Sequence, residues 1–297
     1  MNQTTFLGDK PIRRIGFGAM QLAGPNVFGA PRDPQAARDV LRRAVELGVD
    51  HIDTAQFYGP DVVNDLIRET LQPYPDELKL ATKVGGRRDD TGSWLPAQSP
   101  LELREGVEAN LRSLQVERLD LVNLRRMEGG GESVPLAEQL GVLEDMRREG
   151  KIDEIGISSV GIETFRQAIE LVEIAGVQNS YSIMHRDDDP IVDLCREHEI
   201  AFVPYFPLGS AFTGGPAALA GEPAIVAVAE RHGATASQVA LAWLLARYDR
   251  MLLIPGTASV AHLEENLAAI DVTLDEDDLA ALATVESRDD PLASHRA

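Results

Sequence analysis

The feature that most limits what this chain can fold into is an alternation of short apolar runs with longer segments whose apolar residues recur at helical spacing. That pattern is the mark of repeated strand–helix units built on a parallel sheet. Eight runs stand out, near residues 15–18, 50–53, 78–83, 119–123, 152–158, 177–179, 201–205 and 252–254. Between them, residues 36–47 place Ala36, Val40, Ala44, Val45 and Leu47 on one helical face, and residues 101–114 do the same with Leu101, Val107, Leu111 and Leu114. Pro34, Pro100 and Pro135 stand at or before helix starts, and Gly48 and Gly150 follow helix ends. At 297 residues and 44% hydrophobic content the chain suffices for one large core. The expectation is a single domain over residues 1–297, an α/β chain forming a (β/α)₈ TIM barrel. An extra helix over 222–232, ahead of another at 237–247, places additional helices in the C-terminal half.

Charge and cysteine content narrow the function. A net charge of −20 disfavours nucleic acid and anionic lipid, so no nucleic acid and no membrane partner is expected. Cys195 is the only cysteine, which excludes an internal disulfide and a cysteine-built zinc site, and no His/Asp/Glu spacing suggests a metal. The first eighteen residues hold no signal-like apolar stretch and no run approaches membrane-spanning length, so a cytoplasmic protein is expected.

In such a barrel the chemistry sits at the C-terminal ends of the strands. The polar residues there, Asp53, Lys83, Asn123 with Arg125, Ser158 and Ser159, Gln178 with Asn179, and Tyr205, are expected to form one ring. Within GVDHIDTAQFYG (48–59), Asp53 ends a strand and Tyr58 follows in the loop; within ATKVGG (81–86), Lys83 ends the next strand. A buried lysine ammonium needs a partner, which Asp53 can supply, and its charge beside Tyr58 stabilises a phenolate. The cation is expected to draw the phenol from ~10 toward the working range, so that it protonates a carbonyl oxygen as hydride reaches the carbon. Each residue alone is more often a packing or salt-bridge residue.

The order DTAQFYG followed by a strand ending in lysine resembles the aldo-keto reductase signature. The resemblance extends through RIGFGAMQLAG, DLVNLRRM, EIGISSV, VQNSYS, FVPYFPLG and LLIPGTASVAHLEENLAA, essentially the whole chain. It implies a (β/α)₈ barrel that binds NADPH, with NADH as the other possibility, in extended form. No GxGxxG follows a strand, in keeping with the lack of a Rossmann domain. By this resemblance Asp53, Tyr58, Lys83 and Arg125 are the catalytic set, and the substrate is a small carbonyl compound. Arg125 departs from the usual histidine: it can orient and activate a carbonyl, but it cannot relay a proton near neutral pH. Pairing of Arg125 with Glu128 is its alternative role. VNLR, VQNSYSIMHRDDD and FVPYFPLG further resemble a bacterial branch associated with pyridoxal reduction, which implies the 4-aldehyde of pyridoxal as substrate and pyridoxine as product.

The same resemblance assigns the cofactor groove. Ser158, Ser159 and Gln178 match positions that hold the nicotinamide amide, although Ser159 stands where asparagine is usual, and Tyr205 matches the ring-stacking position. Leu208, Gly209 and Ser210 match the pyrophosphate loop. Gly256, Thr257, His262, Glu265 and Asn266 match the adenosine end, at a helix expected to begin near Ser259. Ala19 and Met20 lie on the cofactor side after the first strand, and Met20 and Trp94 are candidate pocket walls. Residues 206–221 and 255–266 contain no lysine or arginine for a 2′-phosphate, leaving His262, the hydroxyls of Thr257 and Ser259, and Arg231 as candidates. His51 is read as interior packing or a substrate contact, His185 as pocket border or surface turn, and His198 and His232 as solvated.

Two other functions share this sequence pattern. A redox-sensing protein of the same fold would bind the cofactor without turnover. Another barrel enzyme would be an aldolase using Lys83 as a Schiff base, which needs a depressed lysine pKa, or a glycosidase using an acid pair.

Overall fold

Gly8-Asp9 is a two-residue turn flanked by alternating residues, and the chain accordingly opens with an antiparallel hairpin, β1 (Thr4–Leu7) and β2 (Lys10–Arg13), with Leu7 opposite Lys10. The computed structural model describes residues 3–127, 134–210 and 213–289. Leu7 and Ile12 pack with Ala81, Leu121, Val203 and Leu252, so the hairpin fills one end of the interior that the later strands enclose.

Strand and helix then alternate as the apolar pattern requires: β3 (Phe17–Gly18), α1 (Pro34–Glu46), β4 (His51–Asp53), α2 (Val62–Leu71) and β5 (Lys79–Val84). A second hairpin, β6 (Gly86–Arg88) and β7 (Trp94–Pro96), interrupts the alternation before α3 (Pro100–Leu114). It resumes with β8 (Leu119–Arg125), α4 (Leu136–Arg148), β9 (Ile152–Ser158), α5 (Ile162–Leu171), β10 (Gly176–Ser180), α6 (Asp189–His198) and β11 (Ala201–Tyr205). The remaining helices are α7 (Gly215–Leu219), α8 (Pro223–His232), α9 (Ala236–Arg247), α10 (Val260–Leu267) and α11 (Glu276–Leu282).

The sheet is parallel in the order β11-β10-β9-β8-β5-β4-β3. The expected eighth strand at 252–254 is not a full strand. Met251 bridges Phe202 and Leu253 bridges Ile15, closing the ring through Gly16 N–H to Leu253 O at 2.8 Å and Leu252 N–H to Phe202 O at 2.9 Å. Pro255 has no N–H to extend the ladder, so pairing stops there. The close approach at this seam requires glycine: a Cβ on Gly18 would lie 2.4 Å from Ile254 O, and one on Gly256 2.6 Å from Gly18 O. Gly18→Ala is therefore expected to lower stability by about 1–3 kcal/mol. A urea melt matching wild type would show that the seam can move aside.

Helix starts follow their local chemistry. Asp33 caps α1 ahead of Pro34, Ser99 and Glu102 form a capping box on α3, and Ser259 caps α10. The helices that follow the strands turn an apolar face inward, as α1 does with Ala37, Val40, Leu41 and Ala44. In α9 every residue from Val239 to Leu245 is buried, because α7, α8 and α10 cover it as well. The acidic start of α11 is a capped turn, but it is not wholly solvated: Asp278 is 1% exposed, and both Arg231 and His232 of α8 bind its carboxylate. His232 is thus a structural ligand rather than a free surface residue.

Candidate active site

Parallel register places the functional side chains before any of them makes a contact. Asp53 aligns with Gly18 and Ala81, Lys83 with Asn123, Arg125 with Ser158, and Ser158 with Gln178, so these residues crowd the C-terminal rim. Lys83 Nζ lies 2.5 Å from Asp53 Oδ1 and 3.1 Å from Thr54 O, and it sits 5.1 Å from the centroid of the Tyr58 ring. Gln178 Nε2 reaches across to the other carboxylate oxygen of Asp53 at 2.8 Å. Asp53, Tyr58 and Lys83 are all buried.

Burial here is decisive for proton chemistry. It raises the Tyr58 phenol above its ordinary value, and the opposing pull of Lys83 and Arg125 does not overcome it. The expectation that the cation would bring the phenol down toward neutrality is therefore corrected: the resting phenol is protonated. Burial pushes the Lys83 ammonium down, but Asp53 and Tyr58 outweigh it and the net direction is upward. A lysine held as its cation is a poor Schiff-base nucleophile, which removes the physical basis of the aldolase reading.

Arg125, at the end of β8, is held by an aromatic neighbour. Its guanidinium lies 5.2 Å from the centroid of Trp94, which carries Arg88 on its ring at 4.0 Å and meets Phe57 edge-on at 5.5 Å. Phe57 in turn meets Tyr58 at 5.5 Å and 90°. The β6–β7 hairpin delivers Trp94, and its turn is tied by Asp89, whose Oδ1 accepts from Thr91 N and Ser93 N at 2.9 Å each. Trp94 is half-buried against the core with both guanidinium groups near its ring, and the contact of Arg88 lies outside the expected set. The turn residues DDTGS were the signal for it. Glu128, the alternative partner for Arg125, lies outside the described residues.

The ring of polar residues is smaller than expected. Alternation turns Asn179 outward, where it bonds Val160 O and Asp188 at 2.8 Å each. Ser158, Ser159 and Tyr205 do converge: Ser159 Oγ is 3.5 Å from Ser158 Oγ and 3.4 Å from Tyr205 OH. The buried Gln178 Oε1 has no partner among the described residues, which leaves an acceptor for an incoming amide N–H. Ala19 is fully buried, and Met20, on the same turn, is half-buried against the core.

In the loop after β11, Gly209 N–H already donates to Phe206 O at 2.8 Å and Ser210 N–H to Thr213 Oγ1 at 2.8 Å. Those two donors are turn-forming in this structure rather than free, and Leu208 packs on the core. Thr257 Oγ1 accepts from Ser259 N at 3.0 Å, His262 is exposed, Asn266 is buried, and Glu265 accepts from Thr235 Oγ1 at 2.7 Å. Arg231 is held by Asp278 and so is not a free phosphate ligand. His51 is a packing residue: its Nδ1 is 3.1 Å from Asp50, and a Cβ on Gly16 would lie 2.3 Å from its Nε2. His185 Nδ1 contacts Arg288 O at 3.0 Å, anchoring the segment after α11. Among the described residues no His/Cys/Asp/Glu group is placed to hold a metal ion, and no helix is long and apolar enough to cross a membrane.

Known proteins repeat this arrangement of chain. Residues 14–287 match the sequence model of the aldo/keto reductase family. Pyridoxine 4-dehydrogenase of Escherichia coli (strain K12) is 49% identical over 286 residues, 95% of this chain and 98% of that one. A probable aldo-keto reductase 1 of Glycine max is 33% identical, covering 90% and 84% of the two chains. Among solved structures, a thermostable aldo-keto reductase in complex with the inhibitor epalrestat superposes with a TM-score of 0.80 at 26% identity, covering 95% of this chain and 99% of that one. An aldo-keto reductase from Klebsiella pneumoniae in complex with NADPH gives 0.78 at 24% identity, covering 97% of each, a likeness of fold. With the family matched across nearly the full length and a half-identical relative covering the whole barrel, this chain belongs to the aldo/keto reductase family and is an NAD(P)H-dependent oxidoreductase.

Proposed function

We propose that this protein reduces the 4-aldehyde of pyridoxal to the alcohol, and oxidises pyridoxine in reverse, with NADPH as its preferred cofactor. The observation that carries the reading is the buried Asp53–Lys83–Tyr58 cluster, a proton donor with a fixed cation beside it. The name of the 49% identical relative points to the 4-position of pyridoxine. The chain's residues fit a nicotinamide: Gln178 Oε1 and the Ser158 and Ser159 hydroxyls offer an acceptor and donors for its carboxamide, and Tyr205 offers a face for its ring. When bound, the cofactor supplies the hydride.

The protein's part is positioning and proton transfer. Arg125 orients the carbonyl and polarises it without giving up a proton. Tyr58 OH gives its proton to the carbonyl oxygen, and Lys83 and Arg125 stabilise the phenolate left behind. Asp53 holds Lys83 in its charged form and in place. In the oxidative direction the phenolate takes the alcohol proton back. Because burial holds the phenol above its ordinary value, reductive kcat should show no loss from Tyr58 ionisation below pH ~10. A fall in reductive kcat near neutrality that disappears in Tyr58→Phe residual activity would contradict this.

The 2′-phosphate is the less furnished end, since residues 255–266 carry no lysine or arginine and Arg231 is held by Asp278. His262 and the hydroxyls of Thr257 and Ser259 remain to favour NADPH over NADH. The test is an assay of aldehyde-dependent NADPH oxidation with pyridoxal, alongside the dissociation constants of both cofactors. Turnover with tighter NADPH binding supports the proposal. Equal affinities would remove the cofactor preference, and cofactor binding without turnover would favour the redox-sensing reading.

A further inference from the structure

The setting of Arg125 is unusual for a cation. Its buried Nε has no partner among the described residues, and the guanidinium leans on Trp94, itself backed by Arg88. Arg88 is in turn fixed by the carbonyls of Gly92, Val27 and Asn26, at 2.6 to 3.0 Å. Aromatic stacking thus holds the fork in orientation while leaving donors for a ligand. Phe57 meets both Trp94 and Tyr58 edge-on at 5.5 Å, so Arg125 and the phenol border one aromatic cluster, and the Arg125 charge acts on the phenol.

A single carbonyl oxygen uses only one edge position of a planar fork that matches paired oxygens. We propose that Arg125 selects aromatic aldehydes carrying an oxyanion ortho to the formyl group, binding the carbonyl oxygen and the ring oxyanion together. This rests on the proposed function and deepens it, since the 3-oxygen of pyridoxal stands next to its 4-formyl group.

The chemistry gives such a clamp a purpose. An ortho oxyanion donates electron density into the carbonyl and weakens it as a hydride acceptor. It also repels the negative charge that develops on the carbonyl oxygen. A permanent cation shared by both oxygens offsets both effects through the transition state. The balance is simple: hydride adds to the carbonyl carbon, the Tyr58 proton adds to the carbonyl oxygen, the nicotinamide is oxidised, and the ring oxyanion is unchanged.

The test compares 2-hydroxybenzaldehyde with 4-hydroxybenzaldehyde and 2-methoxybenzaldehyde under NADPH saturation, at a pH where the hydroxy compounds are ionised. Wild type should favour the 2-hydroxy compound in kcat/KM by about 10- to 100-fold. In Arg125→Gln the preference should shrink to about 3-fold or less, and Arg125→Lys, a point charge without a fork, should keep only part of it. Quenching of tryptophan fluorescence by 2-hydroxybenzaldehyde without cofactor gives a second readout, and it should weaken in Arg125→Gln. Equal turnover of the 2-hydroxy and 2-methoxy compounds by wild type would overturn the clamp while leaving carbonyl reduction intact. If pyridoxal, run in the same assay, is not reduced, the proposed function fails instead, and unchanged quenching in Arg125→Gln would overturn the clamp independently.

Discussion

Tyr58→Phe is expected to lower kcat for aldehyde reduction by about 10²- to 10⁴-fold while leaving cofactor affinity near wild type. The substitution keeps the ring, its edge-on contact with Phe57 and its burial, and removes only the proton donor. Solvent cannot readily substitute, because the residue is 3% exposed. Steady-state kinetics with a parallel cofactor titration checks this. Near-normal turnover would mean that another group delivers the proton, and Arg125 cannot be that group at neutral pH.

The second large effect is on stability. Asp53→Ala leaves the Lys83 ammonium buried without its carboxylate and also strips Gln178 of its acceptor. Removing one partner of such a pair costs about 3–5 kcal/mol, measurable by urea denaturation. The pH dependence has a definite sign. In wild type the folded pKa of Lys83 lies above its ordinary value, so its contribution is fully present below the unfolded value and is lost as pH rises through the folded one. Without Asp53, burial dominates and drives the folded pKa downward, so the variant should gain relative stability as pH rises. A wild-type-like melt at neutral pH would show that water or Thr54 O suffices to hold the ammonium.

Most of the barrel could be read from periodicity because its strands are buried on both faces over most of their length and appear mainly as short apolar runs. The run at 252–254 also reads as apolar, yet it forms only bridges, because ladder formation depends on Pro255 and on the tight Gly18–Gly256 seam rather than on hydrophobicity. The N-terminal hairpin lies ahead of the eight apolar runs, and its local signal is Gly8-Asp9 with the alternating pattern of β1. The candidate catalytic residues were legible for a different reason: Asp53 and Lys83 lie at the ends of neighbouring strands, so register brings them together without further assumptions.

What could not be read was direction and competition. Gln178 and Asn179 are adjacent and both polar, but strand alternation sends one to Asp53 and the other to Asp188. The sequence offered Arg231 as a phosphate ligand, yet Asp278 binds it from a helix nearly fifty residues away. The rise in the Tyr58 pKa is likewise a property of burial, which no motif records.

The central claim is that this barrel carries hydride from a nicotinamide to the formyl carbon beside Tyr58. The most direct measurement supplies NADPH labelled with deuterium at the transferred position, together with pyridoxal, and analyses the product by mass spectrometry. The expected product is pyridoxine bearing one deuterium on its 4-hydroxymethyl carbon, formed in step with NADPH loss. Unlabelled pyridoxine, or NADPH loss without alcohol, would contradict it.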